Sequence, residues 1–175
     1  MSHDWIPDIN FFQLLDAEDA RNTAAVRARG CPDCGGRLDQ ANYPRKPRGG
    51  EFGAAGEGFD RRRSLCCARE GCRHRRTPAS LVFLGRRVYL AITVVLATWR
   101  TSTTNTSSSS RTVGRWRGWF AALRDTTWWT RTRARLSPTV EPAEILPAAI
   151  IDRVLRNRSV ADALMATLRI VTASA

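Results

Sequence analysis

The chain has 175 residues, a length typical of one domain or of two small ones. Hydrophobic residues make up 43% of the chain and charged residues 25%, which excludes a wholly disordered protein. The formal net charge is +12, and every basic residue except Lys46 is an arginine. A balance this basic indicates a polyanionic partner, either nucleic acid or an anionic membrane face.

The charge is unevenly distributed. Residues 1–20 carry a net −5, residues 21–136 carry +17, and residues 137–175 are neutral, so a polyanion-binding surface is expected in the middle of the chain. The first residues lack the basic and apolar regions of a signal peptide. The apolar stretch from Val88 to Trp99 is shorter than the roughly 20 residues of a membrane span. We expect a cytoplasmic, nucleoid-associated protein without a membrane partner.

The order of cysteines, glycines and apolar residues predicts an α+β fold. A small four-cysteine zinc ribbon, built of β-hairpins, is expected to precede a mainly helical region. The predicted parts are an acidic N-terminal helical lead at 1–30, the zinc ribbon at 31–85, a helical region at 86–136 that includes a polar linker at 101–110, and a C-terminal helical hairpin at 137–175.

Two short cysteine motifs are the most specific feature of the sequence. Cys31-Pro-Asp-Cys34-Gly-Gly has the spacing that lets two thiolates converge on one tetrahedral ion. Cys67 and Cys72 form a second motif, in which Gly71 is placed to make the turn. The predicted Zn²⁺ ligands are Cys31, Cys34, Cys67 and Cys72. A site closed by four thiolates has a structural role rather than a catalytic one.

Several alternatives to this ligand set remain open. Cys66 could replace Cys67, although strand alternation is expected to place Leu65 and Cys67 on one face and Cys66 on the other. His74 could replace Cys72. A disulfide framework fits poorly with five cysteines and no secretion signal. A redox CxxC pair is disfavoured by the second motif.

The segment between the two motifs is basic and rich in glycine. Leu38 and Tyr43 anchor a short strand, and the pattern predicts a β-hairpin finger with a long tip. The glycine-rich part by itself is interpreted as a surface loop. The charges that flank it suit phosphate contact better than base recognition. These candidate nucleic-acid-binding residues are Arg45, Lys46, Arg48, Arg61, Arg62 and Arg63.

Two apolar stretches follow the ribbon. Leu81 to Leu84 is suited to a closing strand, and Arg86 to Arg100 predicts a helix that is buried on most faces. Residues 101–110 contain no apolar side chain and are interpreted as a mobile linker.

The next helix is amphipathic and is expected to begin at a Ser110 cap. Its apolar face is formed by Val113, Trp116, Phe120 and Leu123. Its candidate nucleic-acid-binding residues are Arg111, Arg115 and Arg117. This helix is either a recognition helix for the major groove or a surface helix with a solvated charged face.

The last part of the chain predicts two amphipathic helices, Ile145 to Leu155 and Val160 to Ile170. Pro147 is expected to lie near the start of the first helix, and Ser159 is placed to cap the second. Their apolar faces suit internal packing, a homodimer or a protein partner.

The ribbon resembles those of insertion-element transposases and their accessory proteins. The resemblance rests on the motifs at Cys31 to Gly35 and Cys67 to Cys72, the exit from Arg75 to Ser80, and the helix that ends in Trp99. It implies that a helix-turn-helix follows, with Ser110 to Phe120 similar to its recognition helix. Zinc ribbons also occur in transcription and translation factors. Residues 101–110 depart from the pattern, because a helix-turn-helix needs a packed helix before the recognition helix.

A DNA-binding function without catalysis is the prediction that these features favour. The chain has two histidines, no P-loop and no GxGxxG motif, and no alternating strands and helices follow the ribbon to carry metal-binding acids. We expect a zinc-dependent DNA-binding protein that is associated with a mobile element or acts as a regulator, with DNA favoured over RNA. The alternatives are an RNA-binding or ribosome-binding zinc ribbon, a protein-interaction adaptor, or a relic of a mobile-element gene.

Overall fold

The computed structural model describes residues 8–45, 59–84, 89–99, 109–156 and 158–173. These residues form six α-helices and five short β-strands, which confirms the α+β class. The helices are α1 (Ile9–Arg29), α2 (Ala91–Trp99), α3 (Ser110–Leu123), α4 (Thr127–Arg133), α5 (Ala148–Leu155) and α6 (Val160–Thr172). The strands are β1 (Leu38–Gln40), β2 (Tyr43–Pro44), β3 (Arg61–Arg62), β4 (Leu65–Cys67) and β5 (Arg75–Arg76). Lys46, Arg48 and most of the predicted linker, residues 101–108, lie outside the described residues.

Helix α1 connects the ribbon to the main hydrophobic core. Asp8 caps the helix, since its carboxylate accepts a hydrogen bond from the Phe11 backbone N–H at 2.8 Å. The helix ends at Gly30, whose φ of 72° favours a residue without Cβ. Phe11, Phe12 and Leu15 are buried in the main core. The acidic N-terminal helix is therefore integral to that core.

Helix α2 lies at the centre of the main core. Every residue from Ala91 to Thr98 is buried, as expected for a helix that is apolar on most faces. The helix begins at Ala91 rather than at Arg86, which lies outside the described residues. None of the helices in the described part of the chain combines the length and apolar character required to cross a membrane.

The segment before α2 is buried but does not form the expected closing strand. Its only β-pairing among the described residues is an isolated bridge between Phe83 and Leu90. Side chains satisfy backbone N–H groups that a neighbouring strand would otherwise bind. The Asp19 carboxylate accepts from the Leu81 N–H at 2.6 Å, and the Ser80 hydroxyl accepts from the Phe83 N–H at 3.0 Å.

Helix α3 packs against α2 through the predicted apolar face. Trp116, Phe120 and Leu123 are buried, and Val113 is half-buried. Its N-cap is Ser109, one residue earlier than predicted, and the Ser109 hydroxyl accepts from the Thr112 N–H at 3.3 Å. The short helix α4 follows and buries Trp129 in the same core.

Helices α5 and α6 form the predicted C-terminal hairpin and pack on α2. Helix α5 begins directly after Pro147, and the Ser159 hydroxyl caps α6 by accepting from the Asp162 N–H at 3.2 Å. The apolar faces of both helices lie in the chain's own core, where they bury Ile150, Ile151, Leu164, Leu168 and Val171. A second copy or a partner could therefore bind only the outer faces of these helices.

The strands form a second, much smaller core. Antiparallel pairing gives a three-stranded sheet of order β1-β4-β5 and a separate two-stranded sheet of β2 and β3. The buried residues between them are Cys31, Leu38, Leu65 and Cys67, and Val26 of α1 packs against this group. Two leucines provide too little apolar surface to order this segment without a further constraint.

Polar contacts join the ribbon to the helices. Arg63 donates two hydrogen bonds to the Asp16 carboxylate of α1, at 2.9 and 2.7 Å. Asp19, one turn further along α1, is buried and accepts from the Ser80 hydroxyl and from the Leu81 N–H. Desolvation raises the pKa of Asp19, while its hydrogen bonds and the charge of Arg62 act in the opposite direction. The junction therefore depends on polar contacts in which the Asp16 and Asp19 carboxylates accept hydrogen bonds from the ribbon.

Replacing Asp19 tests this junction. Asp19→Ala leaves the Ser80 hydroxyl and the Leu81 N–H without their acceptor, and it removes the carboxylate that faces Arg62. We expect the free energy of unfolding to fall by about 3 kcal/mol in urea titrations. Asp39→Ala is the control, since its partner Arg37 is exposed. We expect its free energy of unfolding to fall by about 0.5 kcal/mol. Equal losses in the two variants would contradict the assigned role.

Candidate metal centre

Four cysteines converge at one end of the ribbon. Cys31 and Cys34 lie in the turn after α1, Cys67 ends β4, and Cys72 lies in the turn before β5. The sulfurs of Cys31 and Cys72 are 3.8 Å apart, and those of Cys34 and Cys67 are 3.4 Å apart. All four sulfurs lie within 4.8 Å of one another. These four cysteines, the ligand set predicted from the sequence, could hold a metal ion.

The first turn is closed by short backbone hydrogen bonds. The Gly35 N–H donates to the Cys31 carbonyl at 2.7 Å, and the Cys31 N–H donates to the Gly36 carbonyl at 2.8 Å. A Cβ at Gly36 would come 3.0 Å from the Cys67 sulfur and 3.2 Å from the Cys34 sulfur. The second glycine of the motif is therefore required by the close approach of the sulfurs.

The second turn brings Cys72 back towards the cluster. Gly71 has a φ of 82°, which a residue without Cβ adopts at low cost. Arg73 also has a positive φ, 46°, although it is not a glycine. The Cys72 N–H donates to the Arg69 carbonyl at 3.2 Å, and the Cys67 N–H donates to the His74 carbonyl at 3.0 Å. The backbone of this turn thus holds two of the four cysteines.

Strand β4 decides between the two adjacent cysteines. Leu65 and Cys67 are buried on one face, and Cys66 lies on the other, as alternation predicts. The Cys66 sulfur is directed to the Arg73 carbonyl, at 3.3 Å, and is not part of the four-sulfur cluster. The geometry therefore favours Cys67 over Cys66 as a member of the cluster.

The alternative in which His74 replaces Cys72 requires His74 to face the other three cysteines. His74 instead contacts Asp33. Its Nδ1 atom lies 2.9 Å from the Asp33 carboxylate, which also accepts a hydrogen bond from Arg76. These contacts lower the pKa of Asp33, with His74 the larger cause. Asp33, Cys72 and His74 also lie close enough to share an ion, but Asp33 and His74 are exposed. Cys72 remains the fourth member of the main cluster.

Asp33 is a residue that sequence analysis missed. Its position inside the first cysteine motif was a signal, since a carboxylate between two cysteines of the cluster lies close to them; its Oδ2 oxygen is 3.6 Å from the Cys31 sulfur. The basic partners His74 and Arg76 are separated from it by about 40 positions in the sequence, and only the folded ribbon brings them together. The ion pair with Arg76 joins the first cysteine turn to β5.

Neighbouring thiols and backbone N–H groups shift the pKa values of Cys34, Cys67 and Cys72. The Gly36 backbone N–H and the neighbouring thiols lower the pKa of Cys34 to about 7. The Arg69 backbone N–H lowers the pKa of Cys67, but desolvation and the thiols of Cys34, Cys72 and Cys31 raise it to about 12. Four thiolates therefore do not form together at neutral pH without a cation to offset their charge.

The predicted phosphate contacts of the ribbon lie in different environments. Arg61 is exposed, and Arg45 is half-buried beside Tyr43. Arg62 is only 4% exposed and donates to the Pro78 carbonyl at 2.5 Å. Arg62 is therefore a buried structural residue, which corrects its assignment as a phosphate contact. Arg63 is held by Asp16, which offsets its charge.

The three candidate arginines of α3 lie at the surface. Arg111, Arg115 and Arg117 are exposed, while Trp116 and Phe120 anchor the opposite side of the helix. None of these three arginines forms an ion pair within the part of the chain that the structure describes. Their charges are available to a partner.

Paired cysteine variants test the ligand set. Cys67→Ser removes one of the four thiolates, and we expect bound metal to fall from about one ion per chain to near zero, with a lower melting temperature. Cys66→Ser is the matched control, because the neighbouring thiol lies outside the cluster. It should keep the full metal content by elemental analysis. Full metal content in Cys67→Ser, or its loss in Cys66→Ser, would refute the assignment.

The affinity for the metal should depend on pH. An ion that binds near pH 7 must displace the protons of Cys67 and of Cys72, whose pKa values are raised. We expect the affinity to increase about tenfold per pH unit for each proton released. Competition with a chromophoric chelator at pH 6, 7 and 8 measures this slope. A pH-independent affinity would contradict binding through thiolates.

No protein-family model matches the chain, and no curated protein or solved structure is similar enough to match it. The features of the chain that bear on function are the four convergent sulfurs, the turns that hold them, and the exposed arginines of the ribbon and of α3.

Proposed function

We propose that the four-cysteine site binds zinc and that the ion keeps the ribbon folded. Zn–S bonds of about 2.3 Å in a tetrahedron separate neighbouring sulfurs by about 3.8 Å. The separations of 3.8 and 3.4 Å agree with a single shared ion. Four thiolates fill every position of tetrahedral zinc, and no position remains for water or a substrate. The role of the ion is then structural.

The function that these features support best is DNA binding without catalysis, in a mobile-element protein or a regulator. The observation that carries this proposal is the exposed arginine surface of α3. Arg111 and Arg115 are four residues apart and share one side of the helix, and Arg117 flanks the apolar face. Guanidinium groups without a carboxylate partner suit phosphates and guanine edges.

The rigid placement of α3 supports its role as a DNA-contacting helix. Trp116 is almost fully buried, and the ring of Tyr89 packs edge-on against it at 5.0 Å between centroids. Helix α2 packs on the same side of α3 and is the element available for the first helix of a helix-turn-helix. A surface fixed in this way loses little conformational entropy on binding.

A protein-interaction adaptor is the second candidate. A cleft of about 590 Å³ lies between α1 and α6 and contains Leu14, Met165 and Arg158 in its lining. Leu14 is 56% exposed, although the neighbouring Leu15 is buried in the core. Binding to a protein through this cleft would depend little on salt, which distinguishes it from binding to DNA.

The deciding experiment measures zinc content and duplex-DNA affinity on the same sample, at 50 and 200 mM salt. One zinc per chain and an affinity that falls steeply with salt support the proposal. Zinc without DNA binding overturns the DNA-binding function but leaves the structural ion. A stronger preference for structured RNA also overturns the DNA proposal.

Arg115→Ala tests the surface of α3. Removing one phosphate contact should reduce the salt slope by about 0.9 and weaken duplex binding several-fold at 0.1 M salt. Arg21→Ala is the matched control, because Glu18 already offsets the charge of that exposed arginine. Fluorescence anisotropy with a labelled duplex measures both variants. Equal affinities for Arg115→Ala and wild type would show that the Arg115 side chain does not contact DNA.

A further inference from the structure

On the ribbon, the guanidinium groups of Arg45 and Arg75 both lie over the ring of Tyr43. The guanidinium carbon of Arg45 is 5.1 Å from the centre of the Tyr43 ring, and that of Arg75 is 5.7 Å from it. Arg45 follows Tyr43 closely in the chain, whereas Arg75 comes from β5, on the other side of the second cysteine turn. The folded ribbon thus places two cationic side chains on one aromatic side chain.

Among the residues that the structure describes, no acidic side chain is paired with either arginine of this pair. Neighbouring arginines of the ribbon have carboxylate partners: Arg76 binds Asp33, and Arg37 binds Asp39. Within the described ranges, neither Arg45 nor Arg75 forms an ion pair. An aromatic ring attracts a guanidinium but does not cancel its charge.

A third arginine adds to the positive potential at this point. Arg62 lies opposite Tyr43 in the β2–β3 pair and is buried. Desolvation raises the pKa of Tyr43, but the Arg45 hydrogen bond and the charges of Arg45 and Arg62 bring it below the ordinary value. The tyrosine hydroxyl therefore lies in a locally cationic environment.

This arrangement favours phosphate over a nucleobase. A guanidinium held against a ring keeps N–H donors free at its edge, and its restricted motion lowers the entropy lost when it binds an oxyanion. Two guanidiniums already occupy the Tyr43 ring, so a base has little of that ring left on which to stack. Contacts to phosphate fix a protein on DNA without reading sequence.

We propose that Arg45 and Arg75, positioned by Tyr43, bind the phosphodiester backbone of duplex DNA. The inference rests on the proposed DNA-binding function and assigns to the ribbon a sequence-independent share of the affinity. In this arrangement Tyr43 is a positioning residue, and the two arginines make the contacts.

The test uses the full-length, zinc-loaded chain and two duplexes of unrelated sequence. The double variant Arg45→Ala/Arg75→Ala should reduce the salt slope by about 1.8, which corresponds to two phosphate contacts. Both duplexes should lose affinity by the same factor. Tyr43→Phe keeps the ring and should bind like wild type, whereas Tyr43→Leu should lose part of the affinity. Arg37→Ala is the matched control on the same ribbon and should bind unchanged.

The outcomes separate this inference from the function on which it depends. Absence of DNA binding by the wild-type chain overturns the proposed function. If the wild-type chain binds DNA and the double variant has the same salt slope, the role of the arginine pair is overturned and the proposed function is not. The same holds if the double variant loses affinity for only one of the two duplexes, or only for RNA. Zinc content and circular dichroism establish that each variant is folded. If the double variant fails to fold, the exposed single change Arg75→Ala should reduce the slope by about 0.9, and an unchanged slope overturns the inference.

Discussion

The convergence of four cysteine sulfurs is the constraint on which the ribbon depends. Four cysteine sulfurs lie within 4.8 Å of one another, and four thiolates at that distance are stable only with a cation between them. Leu38 and Leu65 are the other buried side chains of this small core. A core of that size contributes little hydrophobic stabilisation. The cluster, the glycine contacts around it and the short strands are therefore one interdependent unit.

The ribbon is attached to the helices by polar contacts and by apolar residues, since Phe59 and residues 81–84 lie in the main core. Asp16 and Asp19 lie on one face of α1. Asp16 accepts from Arg63, and Asp19 accepts from the Ser80 hydroxyl and the Leu81 N–H. These two acidic residues thus hold two parts of the fold together. The N-terminal lead and the C-terminal hairpin, separate segments in the sequence, contribute to one core around α2, because each amphipathic helix must bury its apolar face.

The arginines fall into two groups with different consequences for function. Arg63, Arg76 and Arg153 pair with carboxylates, and Arg62 is buried, so these side chains stabilise the fold. Exposed arginines such as Arg75 and Arg115 have no acidic partner among the described residues. The excess positive charge is therefore concentrated on surfaces that a polyanion can reach.

The sequence by itself determined the α+β class, the four convergent cysteines and the buried face of α3, because motif spacing and helical or strand periodicity are local properties. Alternation in β4 was enough to favour Cys67 over Cys66. Tertiary structure alone decided that Arg62 is buried, that Asp33 binds His74 and Arg76, and that Arg75 meets Tyr43. The physical reason is distance along the chain. These contacts join residues 16 to 43 positions apart, and their geometry depends on how the strands and turns pack, which no local pattern encodes.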